Sequence, residues 1–320
     1  MTGRLITQGV TAARRDLEGL NRSGDKVTTA AEAVRRLVRD GAVIGVGGTN
    51  HARTPMALLI EVLRQGRTGL TMTRPLSCFE AELMLAAGAA ERIMTSWVGI
   101  GHGWGLAPVV RHLVESGRPV FEEWSHLGIG LRYKAGAMGV PFLPTMSMLG
   151  SDIDAQLGLS KVKCPYSGQF LNAVPSLNPD VALIHVQRAD ALGNAAIDGY
   201  ELMDSDLALS ARRVIVTAEK IVATDEFRKD PARTVIPGYA VDAVVLQPMG
   251  AYPHECYGYY EADLDEFTAY MHAVKGSGIE GARAYASALT AHADHDDYVA
   301  AADPDRIAAV RRTAEEMLPR

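Results

Sequence analysis

The stretch Ala42-Val43-Ile44-Gly45-Val46-Gly47-Gly48-Thr49-Asn50-His51-Ala52-Arg53-Thr54-Pro55-Met56 decides the fold. Ala42 to Val46 reads as a short strand covered on both faces, because no polar residue alternates with its apolar ones. Gly47-Gly48 ends it, and Thr54-Pro55 opens a helix, since Pro loses no hydrogen bond at the first helical position. Met56, Leu59, Ile60 and Leu63 then share one helical face, and Gly66 closes it. Upstream, Thr29 and Glu32 form a capping-box pattern before Val34, Leu37 and Val38, with Gly41 as the stop.

Outward from this unit the same grammar repeats. Strands are expected at Leu70 to Thr73, Glu91 to Val98, Val181 to Val186, Val214 to Thr217 and Val241 to Leu246, with helices over Glu80 to Ala87 and Pro108 to Glu115. Beyond Asp263 the chain reads as helical, and residues 151–172 as a long loop or a crossover between two halves of one sheet. The fold class is therefore α/β: an open, mainly parallel sheet with flanking helices and a helical C-terminal region. The expected divisions are an N-terminal arm over 1–26, an α/β domain over 27–262 and a helical extension over 263–320.

Composition narrows the function. The 320 residues carry 32 Lys and Arg against 38 Asp and Glu, a formal charge of −6, which gives no electrostatic reason to bind nucleic acid. No apolar run approaches the roughly 18–20 residues of a membrane span. The three cysteines form no CxxC pair, and the first residues lack the apolar core of a secretory signal, so a cytoplasmic protein is expected.

Four segments have chemistry in them. The glycine turn lets the Gly47 and Gly48 amides approach an anion, with Arg53 as a forked donor. A turn needed only for packing is the open alternative, since neither the Rossmann nor the Walker spacing is met. Gly99-Ile100-Gly101-His102-Gly103 reads as a ligand-approach loop, with His102 as a base only if an orienting partner exists. In Phe121-Glu122-Glu123-Trp124-Ser125-His126 at most one of the adjacent carboxylates faces a site, and a solvated strand end is the plainer reading. His292-Ala293-Asp294-His295-Asp296-Asp297 has metal-ligand types, yet its helical setting favours a polar helix terminus, so no metal site is assigned.

Taken in order, several stretches resemble the alpha subunit of the glutaconate CoA-transferase type among the family I CoA-transferases. They are Gly47-Gly48 with Arg53-Thr54-Pro55, Glu61 to Gly66, Gly139 to Pro144, Leu149-Gly150-Ser151-Asp152, Pro179 to His185, and Ile236-Pro237-Gly238 through Pro248 to Gly258. The resemblance implies a CoA-transferase-like fold, a partner beta subunit, and coenzyme A as substrate with no permanently bound cofactor. It implies that the acyl-CoA is attacked by a Glu on the beta subunit, while this chain lines the acyl and carboxylic acid pocket with Gly47, Gly48, Arg53, Ser77, Glu80, His102, Gly150 and Ser151. A branch of steroid ring-opening CoA hydrolases is similar to the same template. There a functional Glu on the alpha subunit falls near Glu123 to His126, making Glu123 and His126 the catalytic candidates of this chain. A non-catalytic ligand-binding subunit is the third reading.

Overall fold

The computed structural model describes residues 24–317 apart from 102 and 119. Its strands are β1 (Val43–Val46), β2 (Leu70–Thr73), β3 (Leu76–Ser77), β4 (Ala90–Thr95), β5 (Trp97–Gly101), β6 (Gly105–Leu106) and β7 (Phe121–Glu123). They continue with β8 (Phe142–Thr145), β9 (Lys161–Lys163), β10 (Phe170–Pro175), β11 (Val181–Asp190), β12 (Ala195–Ala196), β13 (Arg213–Val222) and β14 (Ala243–Leu246). The helices are α1 (Ala30–Leu37), α2 (Met56–Arg64), α3 (Phe79–Ala86), α4 (Pro108–Glu115), α5 (His126–Met138) and α6 (Asp152–Leu157). After them come α7 (Asp204–Ser210), α8 (Thr224–Lys229), α9 (Leu264–Ala291), α10 (His295–Ala301) and α11 (Pro304–Met317).

The main sheet runs in the order β14-β13-β11-β1-β2-β4-β7, every neighbour parallel, with β12 antiparallel on β11. Alternate residues of its central strands enter opposite cores. Ile44, Leu183 and Ile215 pack with α2, α3 and α9 on one face. Val43, Ile184 and Val216 pack with Ile129 and Tyr133 of α5 and Leu207 of α7 on the other. Both faces are covered, which is why these strands show no polar alternation. Thr29 caps α1 by accepting from the Glu32 amide, one half of the expected capping box.

The region 151–172 is more regular than expected. It contains α6, β9 and the start of β10, and β8-β10-β9 form a small antiparallel sheet. Three residues such as Lys161-Val162-Lys163 are too few to show a period-two pattern, so the strand pairing is invisible to periodicity. The expected strand Glu91 to Val98 is two strands, β4 and β5, parted at Ser96, whose hydroxyl donates to the Pro75 carbonyl (2.6 Å). Residues beyond Asp263 are helical as read, and α9 buries Phe267, Tyr270, Ala282 and Leu289 in the same core as α2 and α3. Of the expected N-terminal arm, residues 1–23 lie outside the described residues; Lys26 is buried, with its ammonium on the Gly238 carbonyl (2.7 Å). No helix among the described residues is long and apolar enough to cross a membrane.

The chain proceeds from β1 outward through β2 and β4 to β7, whereas β11 lies on the other side of β1 and leads away through β13 to β14. The β1/β11 boundary is thus the topological switch point. In open parallel sheets the ligand crevice opens there, beyond the carboxyl ends of the strands.

Candidate active site

The glycine turn sits at that boundary. Gly48 has φ +68°, and a Cβ there would lie 2.0 Å from the Ala52 carbonyl oxygen, so only glycine fits. Thr49 and Ala52 exchange backbone hydrogen bonds (3.1 and 2.8 Å), which closes Thr49-Asn50-His51-Ala52 into a tight tip. The Gly47 amide donates to the Leu183 carbonyl (2.9 Å) and the Gly48 amide to Asp204 Oδ1 (2.7 Å). Arg53 is 1% exposed; it pairs with Asp204 and donates to the carbonyls of His185 (3.2 Å), Tyr200 (3.0 Å) and Glu201 (3.3 Å). The three groups that the sequence offers to an anion are therefore engaged by this chain's own oxygens. A guanidinium buried this deeply is tolerable only when paired and fully hydrogen-bonded.

Beside this saturated floor lies a lip of another character. Arg74, 0% exposed, pairs with Glu80 Oε1 (2.7 Å) and donates to the Gly47 and Asn50 carbonyls and the Thr54 hydroxyl. Glu80 Oε1 also accepts the Cys78 amide (2.9 Å), but Oε2 makes no hydrogen bond and stands 3.8 Å from His254 Nε2. The Ser77 hydroxyl, Thr49 Oγ1 and Asn50 Oδ1 are likewise buried without a hydrogen-bond partner, while the His254 ring meets the Asn50 backbone. The His51 ring lies 5.5 Å from His254 and 4.6 Å from Phe267, with its Nε2 3.9 Å from Cys78 Sγ. Trp104 completes the aromatic wall, 5.9 Å from Phe267. Buried polar atoms without partners are rare and costly, and their concentration here marks this patch as the candidate site.

Two features limit the charge of this patch. Arg74 and Glu80 cancel each other. Burial, with His51 and Arg74 nearby, holds His254 well below the ordinary histidine value, so it is uncharged at neutral pH. Burial and the neighbouring Glu80 push the Cys78 thiol up, which removes it as a thiolate nucleophile.

The other sequence-selected residues fall at three places. Glu122 turns inward, accepting from Trp124 Nε1 (2.8 Å) and facing Arg132 (3.3 Å), while Glu123 is exposed, as alternation on a strand requires. His126 starts α5, is exposed, and has Nδ1 3.4 Å from Ser96 Oγ, which in turn reaches Pro75, two residues before Ser77. Gly150 and Ser151 lie exposed between β8 and α6; Ser151 caps α6, and the segment is tied to Ser125 through Ser147 (2.7 Å). His102 lies outside the described residues. The structure thus brings Gly47, Gly48, Arg53, Ser77 and Glu80 together, leaves Glu123 and His126 exposed at the end of β7 and the start of α5, and sets Gly150 and Ser151 beside the small sheet.

Sequence reasoning missed Arg74, Asp204 and His254. Arg74 had a signal, a charge directly after a buried strand; Asp204 had none, because its partners are 151 and 156 residues away. The segment His292 to Asp297 is a helix terminus: Asp294 caps α10 and His295 is buried on the Met249 carbonyl (2.8 Å). Among the described residues the metal-capable group is instead His185, Glu219 and Cys256, with donor atoms within 4.8 Å of one another. Glu219 already accepts from His185 (2.8 Å), Tyr260 (2.8 Å) and the Met249 amide (3.0 Å), so this group is a closed hydrogen-bonded support beneath the rim.

A doubly wound sheet with a glycine turn at its switch point puts the candidate crevice of an open α/β protein there. The particular class follows from comparison: the chain belongs to the coenzyme A transferase family, whose model matches residues 27–247. It is 36% identical to the A-subunit of the 3-oxoadipate CoA-transferase of Pseudomonas knackmussii, over 74% of this chain and 84% of that one. The crystal structure of glutaconate coenzyme A-transferase from Acidaminococcus fermentans superposes with a TM-score of 0.84 at 30% identity, covering 89% of this chain and 95% of the other. An uncharacterised protein of Archaeoglobus fulgidus is 40% identical over 82% of this chain, which spans only 58% of that longer relative.

Proposed function

We propose that this chain is the alpha subunit of a two-subunit CoA-transferase that moves coenzyme A between an acyl-CoA and a carboxylic acid. The attacking carboxylate is a Glu of the beta subunit, and coenzyme A takes part as substrate. This chain supplies the opposite wall: Ser77, Asn50 and His254 offer neutral hydrogen-bonding atoms to the acyl carbonyl and the incoming carboxylate. Gly47, Gly48 and Arg53 shape that wall, and Glu80 orients it through Arg74. A thiol pushed up by burial and a serine without a base leave the lip unable to attack a thioester by itself. The single observation that carries the reading is the cluster of partnerless polar atoms beside the glycine turn. The absence of an activated nucleophile from that cluster fits an attacking group on another chain. The cytoplasm is the compartment we assign, in keeping with three free cysteines.

The test is co-expression with its beta subunit, followed by measurement of CoA transfer between two acids. Transfer that depends on the acceptor acid, and that falls when Ser77 becomes Ala, supports the reading. Thioester loss independent of any acceptor contradicts it and favours the second reading, a CoA-thioester hydrolase in which Glu123 or His126 activates water. What supports that alternative is the exposure of His126 beside Ser96. Glu123→Gln and His126→Ala separate the two, leaving transfer intact but abolishing hydrolysis. An assembled but inert complex points to the non-catalytic subunit.

A further inference from the structure

Asp204 is 1% exposed and belongs to no motif, yet it joins the two sides of the glycine turn. One carboxylate oxygen accepts the Gly48 amide (2.7 Å); the other pairs with Arg53 on the far side of the Thr49–Ala52 tip. Asn50 and Arg53, the residues that bend this tip, both hold positive φ (47° and 50°); Asn tolerates that conformation, but an arginine keeps it at a cost that its surroundings must offset. Gly47 lies against the same carboxylate, since a Cβ there would come 3.2 Å from Oδ1. An amide N–H and a guanidinium facing one carboxylate make a complete anion cradle, and its occupant is the chain itself.

We propose that Asp204 is a positioning residue of the acyl site: an internal carboxylate seated in the Gly48–Arg53 cradle that fixes the strained Asn50–Arg53 tip, and with it Asn50 and His51 at the lip. This rests on the acyl-transfer reading above. Asp204 touches no substrate; it acts through the backbone of the tip. A substrate carboxylate therefore binds elsewhere on the rim, and the anion-binding pattern legible in the sequence is an internal fastening.

The test is chemical rescue. Asp204→Ala, in the complex with the beta subunit, opens a carboxylate-sized space lined by the Gly48 amide and Arg53. The expected result is a fall in kcat/KM of at least tenfold, carried mainly by kcat, with saturable recovery on adding formate. Chloride at equal ionic strength gives no recovery, and formate raises the melting temperature of the variant but not of the parent. Wild-type kinetics in Asp204→Ala, or a loss in the folded variant that formate leaves untouched, overturns the proposal. Asp204→Asn keeps the shape and removes the charge, so it covers the case in which the alanine variant does not fold. It is expected to lose activity without formate rescue because the amide fills the cradle, and wild-type kinetics there also overturns the assignment. If the parent complex moves no CoA at all, the functional reading falls, while the formate-dependent melting shift still decides the cradle.

Discussion

Two halves of one rim differ in how their polar atoms are used. Around Arg53 and Asp204 every charge is matched within the chain, the guanidinium reaching Asp204 and three carbonyls. A few residues away, Ser77 Oγ, Thr49 Oγ1 and Glu80 Oε2 are buried without a hydrogen-bond partner. Around Arg53 the charged groups are consumed in internal pairing, whereas buried oxygens such as Ser77 Oγ are left without a partner, and it is these that our proposal turns toward the ligand. On that proposal, discrimination comes from hydrogen-bond geometry and the attacking charge from the beta subunit.

The contrast breaks most readily at the saturated half. Arg53→Met leaves the Asp204 carboxylate buried without its partner, and the expected cost is about 3–5 kcal/mol of unfolding free energy, read by urea denaturation. A loss under about 1 kcal/mol contradicts the view of this half as a fastening.

Acid acts next, through the buried histidines. Burial lowers His295 to about 4 from an ordinary 6.5, and His254 also titrates well below that value. Above pH 6.5 both are neutral whether folded or unfolded, so nothing is lost. Below it the unfolded chain takes up protons that the folded chain refuses, and stability falls until the folded values are passed. His295 alone contributes roughly 3 kcal/mol of loss between pH 6.5 and 4. Melting temperatures across that window check it, and His295→Asn should flatten the slope.

Gly48→Ala places a Cβ against the Ala52 carbonyl and forces the tip open, at an expected roughly 1–3 kcal/mol, with activity falling more than stability. Ser77→Ala sharpens the contrast from the other side. Its hydroxyl has no internal partner, so stability should change by less than about 1 kcal/mol while kcat/KM drops roughly tenfold. Equal changes in stability and activity there make Ser77 an ordinary core residue. Glu123→Gln, on an exposed strand end, should alter stability by no more than about 0.5 kcal/mol and leave transfer unchanged.

Much of this architecture is legible in the sequence because it is local. The unbroken apolar run Val43–Val46, the double glycine and the Pro55 helix start dictate a strand, turn and helix whatever surrounds them. The pairing of β8 and β9 with β10 is not legible, since strands of four and three residues show too few positions for a period. The site is half legible for a related reason. Residue types mark Gly48 and Arg53 as anion binders, but nothing local says that Asp204, some 150 residues on, already holds them. His254 lies within a segment that resembles the family, yet its place beside Glu80 comes from packing across the rim. Sequence shows which groups are able to bind; the fold decides which are left with something to bind.

Division of labour between two polypeptides is the central proposal. The direct measurement is turnover of a CoA thioester by this chain purified alone and again after mixing with its beta subunit, with and without an acceptor acid. The predicted result is no turnover alone and acceptor-dependent exchange of CoA in the mixture. Turnover at enzyme-like rates by the single chain contradicts the account, because it requires an attacking atom that the lip around Ser77 and His254 does not possess.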